Sequence, residues 1–279
     1  MQSDFRSSRI LIAGLGLIGG SIAKALAADG YREVYAFDRD AQTLADAKSD
    51  GVIREGYTAL TGDIPAFGLV VCCLSPAHVV PLYEDAAPYI KEGGVFAEVG
   101  GIKQVMIDTL QGAMRDTHEL LSLHPMAGSE LIGYAHSNRN MFAGSVLIAV
   151  LGIKTGDIAV AWADLLTAAM QCERIQTLSA QAHDRIIAHV SHIPHVAALA
   201  IKAMYPGSGD ERFAGGSYKA ITRVADINAA LWAGLMTDNS GCLLEALEEL
   251  KKQISRIETA IEAGDAAALQ TLLENISES

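Results

Sequence analysis

In the first half of the chain, short unbroken apolar runs alternate with stretches whose apolar residues recur every three or four positions. The runs are RILIAGL (9–15), EVYAFD (33–38), LVVCCLS (69–75), GVFAEVG (94–100), LLSLHP (120–125) and SVLIAVL (145–151), with ERIQTLS (173–179) as a further strand that closes the series. The intervening stretches predict helices from about Gly19 to Asp29 and over AQTLADAKSDG (41–51). Strands that are apolar throughout, rather than at every second position, belong in a parallel sheet covered on both faces. The pattern therefore predicts an α/β domain with a doubly wound, mainly parallel sheet.

From Ser179 onward the strand signal stops and long helical stretches follow, interrupted by the Gly-rich YPGSGDERFAGGS (205–217). This places a boundary near Leu178, with residues 1–178 forming the sheet domain and 179–279 an all-helical one. Leu247, Leu250, Ile254, Ile257 and Ile261 recur at spacings of three and four, an apolar seam that needs a second helix against it. That helix can come from the same chain or from a second copy, in which case the seam is a dimer core. Gly264 and Asp265 then read as a helix stop and the N-cap of a last short helix, AAALQTLLENI (266–276).

The first strand runs into G-L-G-L-I-G, where Gly14, Gly16 and Gly19 have G-x-G-x-x-G spacing with Leu17 and Ile18 between the last two. The first glycine allows the tight turn, the second lets backbone approach a pyrophosphate, and the third lets helix and strand pack closely. Three glycines at such a turn can also be packing devices alone. Here the second strand ends at Asp38, nineteen residues beyond Gly19, where a carboxylate can accept hydrogen bonds from an adenosine ribose. Asp38 favours NAD over NADP, because a 2′-phosphate would meet it as a like charge, an objection that the neighbouring Arg39 softens. Ser75, at the end of CCLS, is placed to run past the adenine-ribose side of that site.

Composition narrows the partners. Half the residues are apolar, enough for a sizeable core, and the balance of 21 basic to 33 acidic residues speaks against a nucleic-acid or anionic-membrane surface. No apolar run reaches the roughly 18 residues of a membrane span, and the glycine pattern of ILIAGLGLIGGSIA (10–23) sets it apart from a signal peptide. Cys72, Cys73, Cys172 and Cys242 lack metal-type spacing and suit a reducing cytoplasmic setting as small buried hydrophobes.

The histidines carry the candidate chemistry. His124, in SLHPMAGSE (122–130), follows an apolar strand of the doubly wound half, and ligands collect at the carboxyl ends of such strands. A neutral imidazole there can take a proton from an alcohol while hydride leaves the same carbon for a nicotinamide. His192 and His195, in VSHIPHVAALA (190–200), are a second pair; His192 is a candidate for substrate or catalytic contact, and His195 more a structural one. With no HExxH or cysteine partner nearby, no metal site is expected. In the helical half Arg223, near Lys219, can fork onto a carboxylate, or form only a surface ion pair; Trp232 reads as core on the same stretch.

Together these stretches resemble the prephenate dehydrogenase family, which includes the arogenate-using enzymes. The matching pieces are GLGLIGGS (14–21), EVGGIK (98–103), HPMAGSE (124–130), SHIPH (191–195) and FAGGSYKAITRVADINAALW (213–232), in the family's order over nearly the whole chain. The resemblance implies a Rossmann domain joined to a helical dimerisation domain, a homodimer, and oxidative decarboxylation of an anionic cyclohexadienyl substrate with NAD, or less favourably NADP. It implies His124 as the catalytic histidine, His192 as a second active-site histidine and Arg223 as a carboxylate anchor. Glu130 would then shape the entrance to the site, and Gly216 would lie in the loop beside the substrate.

One position departs from the family. Where it often has D-V-G-S-V-K, this chain reads E-V-G-G-I-K, so Gly101, at a substrate-facing position, supplies no hydroxyl. That leaves open arogenate, or a ring carrying an amino group at C4, beside prephenate. More distant readings are a β-hydroxyacid or imine reductase, against which the histidine motifs speak, and a nucleotide-sensing module without chemistry. The length leaves no obvious room for an appended regulatory or chorismate mutase domain.

Overall fold

The computed structural model describes residues 5–129, 131–205 and 213–278. Its contacts divide the chain into two units, Met1–His183 and Asp184–Ser279.

The first unit is built on one eight-stranded sheet: β1 (Ile10–Ala13), β2 (Val34–Phe37), β3 (Glu55–Tyr57), β4 (Phe67–Cys72), β5 (Ile90–Glu98), β6 (Glu119–Pro125), β7 (Val146–Val150) and β8 (Arg174–Leu178). The spatial order is β3-β2-β1-β4-β5-β6-β7-β8, parallel throughout except that β7 runs antiparallel to β6. The expected α/β fold is thus present. The sequence reading lacked β3, a three-residue edge strand whose E-G-Y is too short and too polar to show as an apolar run. Gly56 is needed there, because a Cβ would come within 2.9 Å of the Leu44 side chain.

The unbroken apolar strands have the reason expected of them. Alternate residues feed two cores, one on each face of the sheet. Ile10, Ile12, Leu69, Val71, Leu121 and Leu123 point to one face, covered by α1 (Leu17–Ala28) and α5 (Asp157–Ala169), whose Trp162 is buried against Phe5 edge to face at 4.9 Å. Leu11, Ala13, Val70, Phe96 and Leu120 point to the other, where α3 (Val79–Ala86) and α4 (Gln104–Ala113) supply Leu82, Tyr83, Ile107 and Leu110. Helix α2 (Ala41–Ser49) begins at Asp40, whose carboxylate accepts from the Gln42 N–H.

The unit division falls inside α6 (Ala180–Ile187), which continues through one π turn, Ala188–His192, into α7 (Ile193–Met204). The 25-residue helix Ala180–Met204 is long and apolar enough, by length and composition, to cross a membrane. The run-length reading passed over it because histidines and the Asp184-Arg185 pair interrupt the apolar stretch. The rest of the second unit is α8 (Gly216–Thr222), α9 (Ala229–Asp238), α10 (Ser240–Glu262) and α11 (Ala266–Ser277). Gly264 has φ +65° at the turn, and Asp265 caps α11 by accepting from the Ala267 and Ala268 N–H groups. Of the seam on α10, Leu247, Leu250 and Ile257 are half-buried, whereas Ile254 and Ile261 are 55% and 60% exposed.

Candidate active site

Because β1, β2, β4, β5 and β6 are parallel, their carboxyl ends share one edge of the sheet. The glycine loop, Asp38, Ser75 and Gly101 follow those ends, and His124 is the next-to-last residue of β6. The strand order reverses at β1, between β2 and β4, which is the crevice where open α/β sheets bind ligands.

The loop's glycines do different things. Gly14 has φ +90°, and a Cβ there would lie 2.7 Å from Leu74 Cδ2, so it shapes the turn. At Gly19 a Cβ would sit 1.9 Å from the Gly14 carbonyl oxygen, so helix α1 can approach β1 only without one. Gly16 is the N-cap of α1, has no capping side chain, and a Cβ on it would meet nothing within 4 Å. The N-terminal amides of α1 therefore have no side-chain cap, and the backbone at Gly16 is open to close approach by an anion. Leu17 is buried, and Ile18 is half-buried against the core that covers the sheet, anchoring the loop from behind.

The half-buried Asp38 ties the second strand to this loop. Its Oδ2 accepts from the Leu15 N–H at 2.8 Å and its Oδ1 from the Asp40 N–H at 2.9 Å. A carboxylate has about four acceptor sites, so two remain for a ribose diol, and the residues present fit a dinucleotide. Arg39 is exposed beside it. Ser75 is exposed, and its Oγ lies 2.8 Å from His78 Nδ1.

His124 is half-buried near the end of β6, held by the antiparallel register His124↔Ile148 and by the Met126 N–H donating to Val146 O. Two surroundings of His124 were missed in the sequence reading. Its Nδ1 lies 2.8 Å from Nε2 of His183, a fully buried residue on the first turn of α6. Beneath the strand ends, Lys103 Nζ pairs with Glu98 Oε1 at 2.7 Å, both side chains fully buried, and also donates to Leu123 O at 2.6 Å. Ser122 Oγ donates to the same Glu98 oxygen, and Gly100 N–H donates to Glu98 Oε2 at 2.7 Å. The EVGGIK stretch thus matters here through its two charges, while Gly101 is a half-buried turn residue. A lysine and a glutamate five apart give a visible sequence signal; His183 gives none, because its partner is 59 residues away.

In the second unit three histidines lie on one continuous helix. His189 and His195 each set Nδ1 on the carbonyl four residues back, at 2.9 Å on Arg185 O and 2.8 Å on Ser191 O. His192 has no such bond; at the π turn the Ala188 carbonyl accepts from the Ile193 N–H. Its ring is 2% exposed and Nδ1 has no partner among the described residues. Burial first, and the neighbouring His195 second, hold its pKa below the usual histidine value, with Asp184 opposing. Trp232 lies against His195 at 3.8 Å with the rings inclined at 32°, meets His192 edge to face at 5.9 Å, and is half-buried, not core. Arg223 is exposed at the start of a 3₁₀ turn, with Gly216 exposed at the first position of α8. Glu130 lies outside the described residues.

The metal-free expectation concerned spacing alone; among the described residues there is no cluster of three His, Cys, Asp or Glu side chains able to hold an ion. The cysteines are free, and burial pushes the Cys72 thiol up to about 12 and that of Cys73 well above its usual value, out of reach of thiolate chemistry.

Two family models match the chain: the prephenate dehydrogenase nucleotide-binding domain over residues 22–171 and the prephenate dehydrogenase dimerization domain over residues 179–275. The chain is 30% identical over 294 residues to a cyclohexadienyl dehydrogenase of Zymomonas mobilis, covering 97% of this chain and 93% of the relative. It is 29% identical over 269 residues to a prephenate dehydrogenase of Bacillus subtilis, covering 93% and 72%. The fold is that of a prephenate dehydrogenase from A. aeolicus solved with hydroxyphenyl propionate and NAD+ (TM-score 0.88, 23% identity, 97% and 96% coverage). It is also that of a Synechocystis arogenate dehydrogenase (TM-score 0.82, 20% identity, 97% and 98% coverage).

Proposed function

The chain belongs to the prephenate dehydrogenase family and carries its nucleotide-binding and dimerisation domains, and from that premise we propose that it oxidises and decarboxylates prephenate with NAD as hydride acceptor. The observation that carries this reading is the position of His124, on the same sheet edge as the glycine loop and Asp38. When bound, NAD supplies the nicotinamide carbon that receives the ring C4 hydride.

The residues of this chain do the rest. The uncapped start of α1 and the bare backbone of Gly16 receive the pyrophosphate, with Leu17 and Ile18 setting the helix and Gly14 and Gly19 the turn. Asp38 accepts from the ribose hydroxyls, with Arg39 and Ser75 on the adenosine side. His124 takes the C4 hydroxyl proton as the hydride departs. The C1 carboxylate then leaves as CO2, its bonding pair aromatising the ring onto the C4 oxygen, and His124 returns the proton to that oxygen. The balance is prephenate and NAD+ to 4-hydroxyphenylpyruvate, CO2 and NADH. We assign further substrate contacts to His192 through Nδ1, kept neutral by burial, to Arg223 by forking onto a carboxylate, and to Gly216, Glu130 and Gly101. Positioning and electrostatics therefore supply most of the rate.

Two copies pair through the helical unit, in which Leu244, Ile254, Ile261 and Leu273 are 48% exposed or more in the single chain. The protein works in the cytoplasm on a small anionic substrate, with neither nucleic acid nor membrane as partner. Arogenate is the second reading, left open by Gly101, which supplies no hydroxyl where the family often has serine. The test is NADH formation by the purified protein with prephenate and with arogenate, NAD against NADP, for the native chain and His124→Asn. Turnover should prefer NAD and fall about a hundredfold or more in the variant; tight NAD binding without turnover of either ring would refute the proposal.

A further inference from the structure

The contact between His124 and His183 has a consequence for the base. Two imidazole nitrogens 2.8 Å apart share one proton, one donating and the other accepting. Two arrangements satisfy that bond. In one, His183 donates through Nε2–H, His124 accepts at Nδ1 and carries its own proton on Nε2. In the other, His124 donates through Nδ1–H, His183 accepts at Nε2, and His124 Nε2 keeps its lone pair. Only the second leaves His124 a nitrogen able to take a proton.

We propose that His183 is the positioning residue that holds His124 in its Nδ1–H form, so that Nε2 is the basic nitrogen. The inference rests on the proposed function, in which His124 is the base. His183 is fully buried and does not present itself to a substrate; it acts through His124. It is also placed rigidly. Its N–H donates to Ser179 O at 2.9 Å, and the Ser179 hydroxyl accepts from the Ala182 N–H at 3.2 Å, fixing the first turn of α6. The rings are inclined at 55° with centroids 5.1 Å apart, so they meet through their nitrogens and not by stacking. When Nε2 takes the hydroxyl proton, the substrate O–H bond breaks and an Nε2–H bond forms. Nδ1–H stays bonded to His183 throughout, and the cationic ring then has a charge-assisted acceptor at that nitrogen. The same bond fixes the ring's rotation, aiming Nε2 away from His183.

The experiment uses full-length protein with ¹⁵N-labelled histidine. Long-range proton-nitrogen correlations report which imidazole nitrogen of His124 is protonated, with His124→Gln assigning the signals. Two variants separate acceptor from bulk: His183→Gln keeps an acceptor near the place of Nε2, and His183→Leu removes it. The native protein should show His124 as the Nδ1–H form, retained in His183→Gln and lost in His183→Leu. The leucine variant should lose about tenfold or more in kcat with KM unchanged, and the glutamine variant should recover most of it. An Nε2–H form in the native protein, an unchanged tautomer in His183→Leu, or equal loss of kcat in both variants would overturn the proposal. Should the leucine variant fail to fold, the native tautomer still decides. Absence of turnover with either ring would sink the functional reading separately, because the tautomer is read without substrate.

Discussion

The buried pair Glu98–Lys103 gives the most quantitative test of the site's foundation. Its atoms are 2.7 Å apart with both side chains fully buried. At an effective dielectric of about 20, two unit charges at that distance attract by about 6 kcal/mol. Removing two ions from water costs several kcal/mol each, so the pair's net contribution is small even though each partner depends on the other. Lys103→Met, of similar length, strands the Glu98 carboxylate with Ser122 Oγ and Gly100 N–H as its donors among the described residues. Breaking a buried pair this way costs about 3–5 kcal/mol. For a unit of the size of Met1–His183, each kcal/mol moves Tm by roughly 2–4 °C, so calorimetry of the full chain should show a drop of roughly 6–20 °C. The double variant Glu98→Met/Lys103→Met removes both charges and should lose less than the sum of the singles, giving a favourable coupling energy. A Lys103→Met shift within about 2 °C, or strictly additive singles, would refute this account of the pair.

The two glycines of the loop should separate folding from binding. Gly19→Ala, whose Cβ would collide with Gly14 O, should lower both stability and NAD affinity, whereas Gly16→Ala should keep the native Tm and weaken NAD about tenfold or more in calorimetric titration, since its Cβ enters only the approach to the pyrophosphate. Ile254→Glu/Ile261→Glu puts charge on the exposed part of the α10 seam, and light scattering should show the mass of one chain where the native protein shows two; an unchanged mass would refute pairing through this face. His192→Phe should remove an acid sensitivity. With its folded pKa below the usual 6.5, the folded protein binds fewer protons at this site than the unfolded chain, so its contribution to stability is complete above about pH 6.5 and is lost as pH falls through the folded value. Thermal midpoints from pH 7.5 to 5 should therefore fall less in the variant, and an equal fall would refute the assignment.

What was legible in the sequence is what short-range pattern encodes. Strands buried on both faces are continuous apolar runs, so β1, β2, β4, β5, β6 and β7 showed, β8 showed by the half-buried Ile175 and Leu178 of a mostly exposed edge strand, and the three-residue polar β3 did not. The glycine loop showed because each glycine answers a local steric demand, and Asp265 and Gly264 because caps are local too. The hydrogen bond between Asp38 and Leu15 joins residues 23 apart and was foreseen only as a ribose contact. His183 was invisible, since nothing in AQAHDRII marks a residue that meets a strand 59 positions earlier. Trp232 reads as core because an aromatic on an apolar helix is usually buried; it lies against His195 and is half-buried.

The π turn at Ala188–His192 shows how backbone and chemistry become coupled in the second unit. An α-helical His192 could rest Nδ1 on the Ala188 carbonyl, as His189 and His195 rest theirs four residues back. In the π turn that carbonyl accepts from the Ile193 N–H, one residue further on, and the His192 imidazole is buried with a polar atom unmatched among the described residues. An unmatched buried polar atom costs about 1–3 kcal/mol, and π turns are themselves uncommon and frequent at functional sites. A small molecule that brought a polar group to Nδ1 would recover that energy on binding, whereas a histidine already bonded to its own helix would have to break a bond first. On the proposed function, the cost borne in the free protein would be returned as affinity and direction when the substrate meets Nδ1.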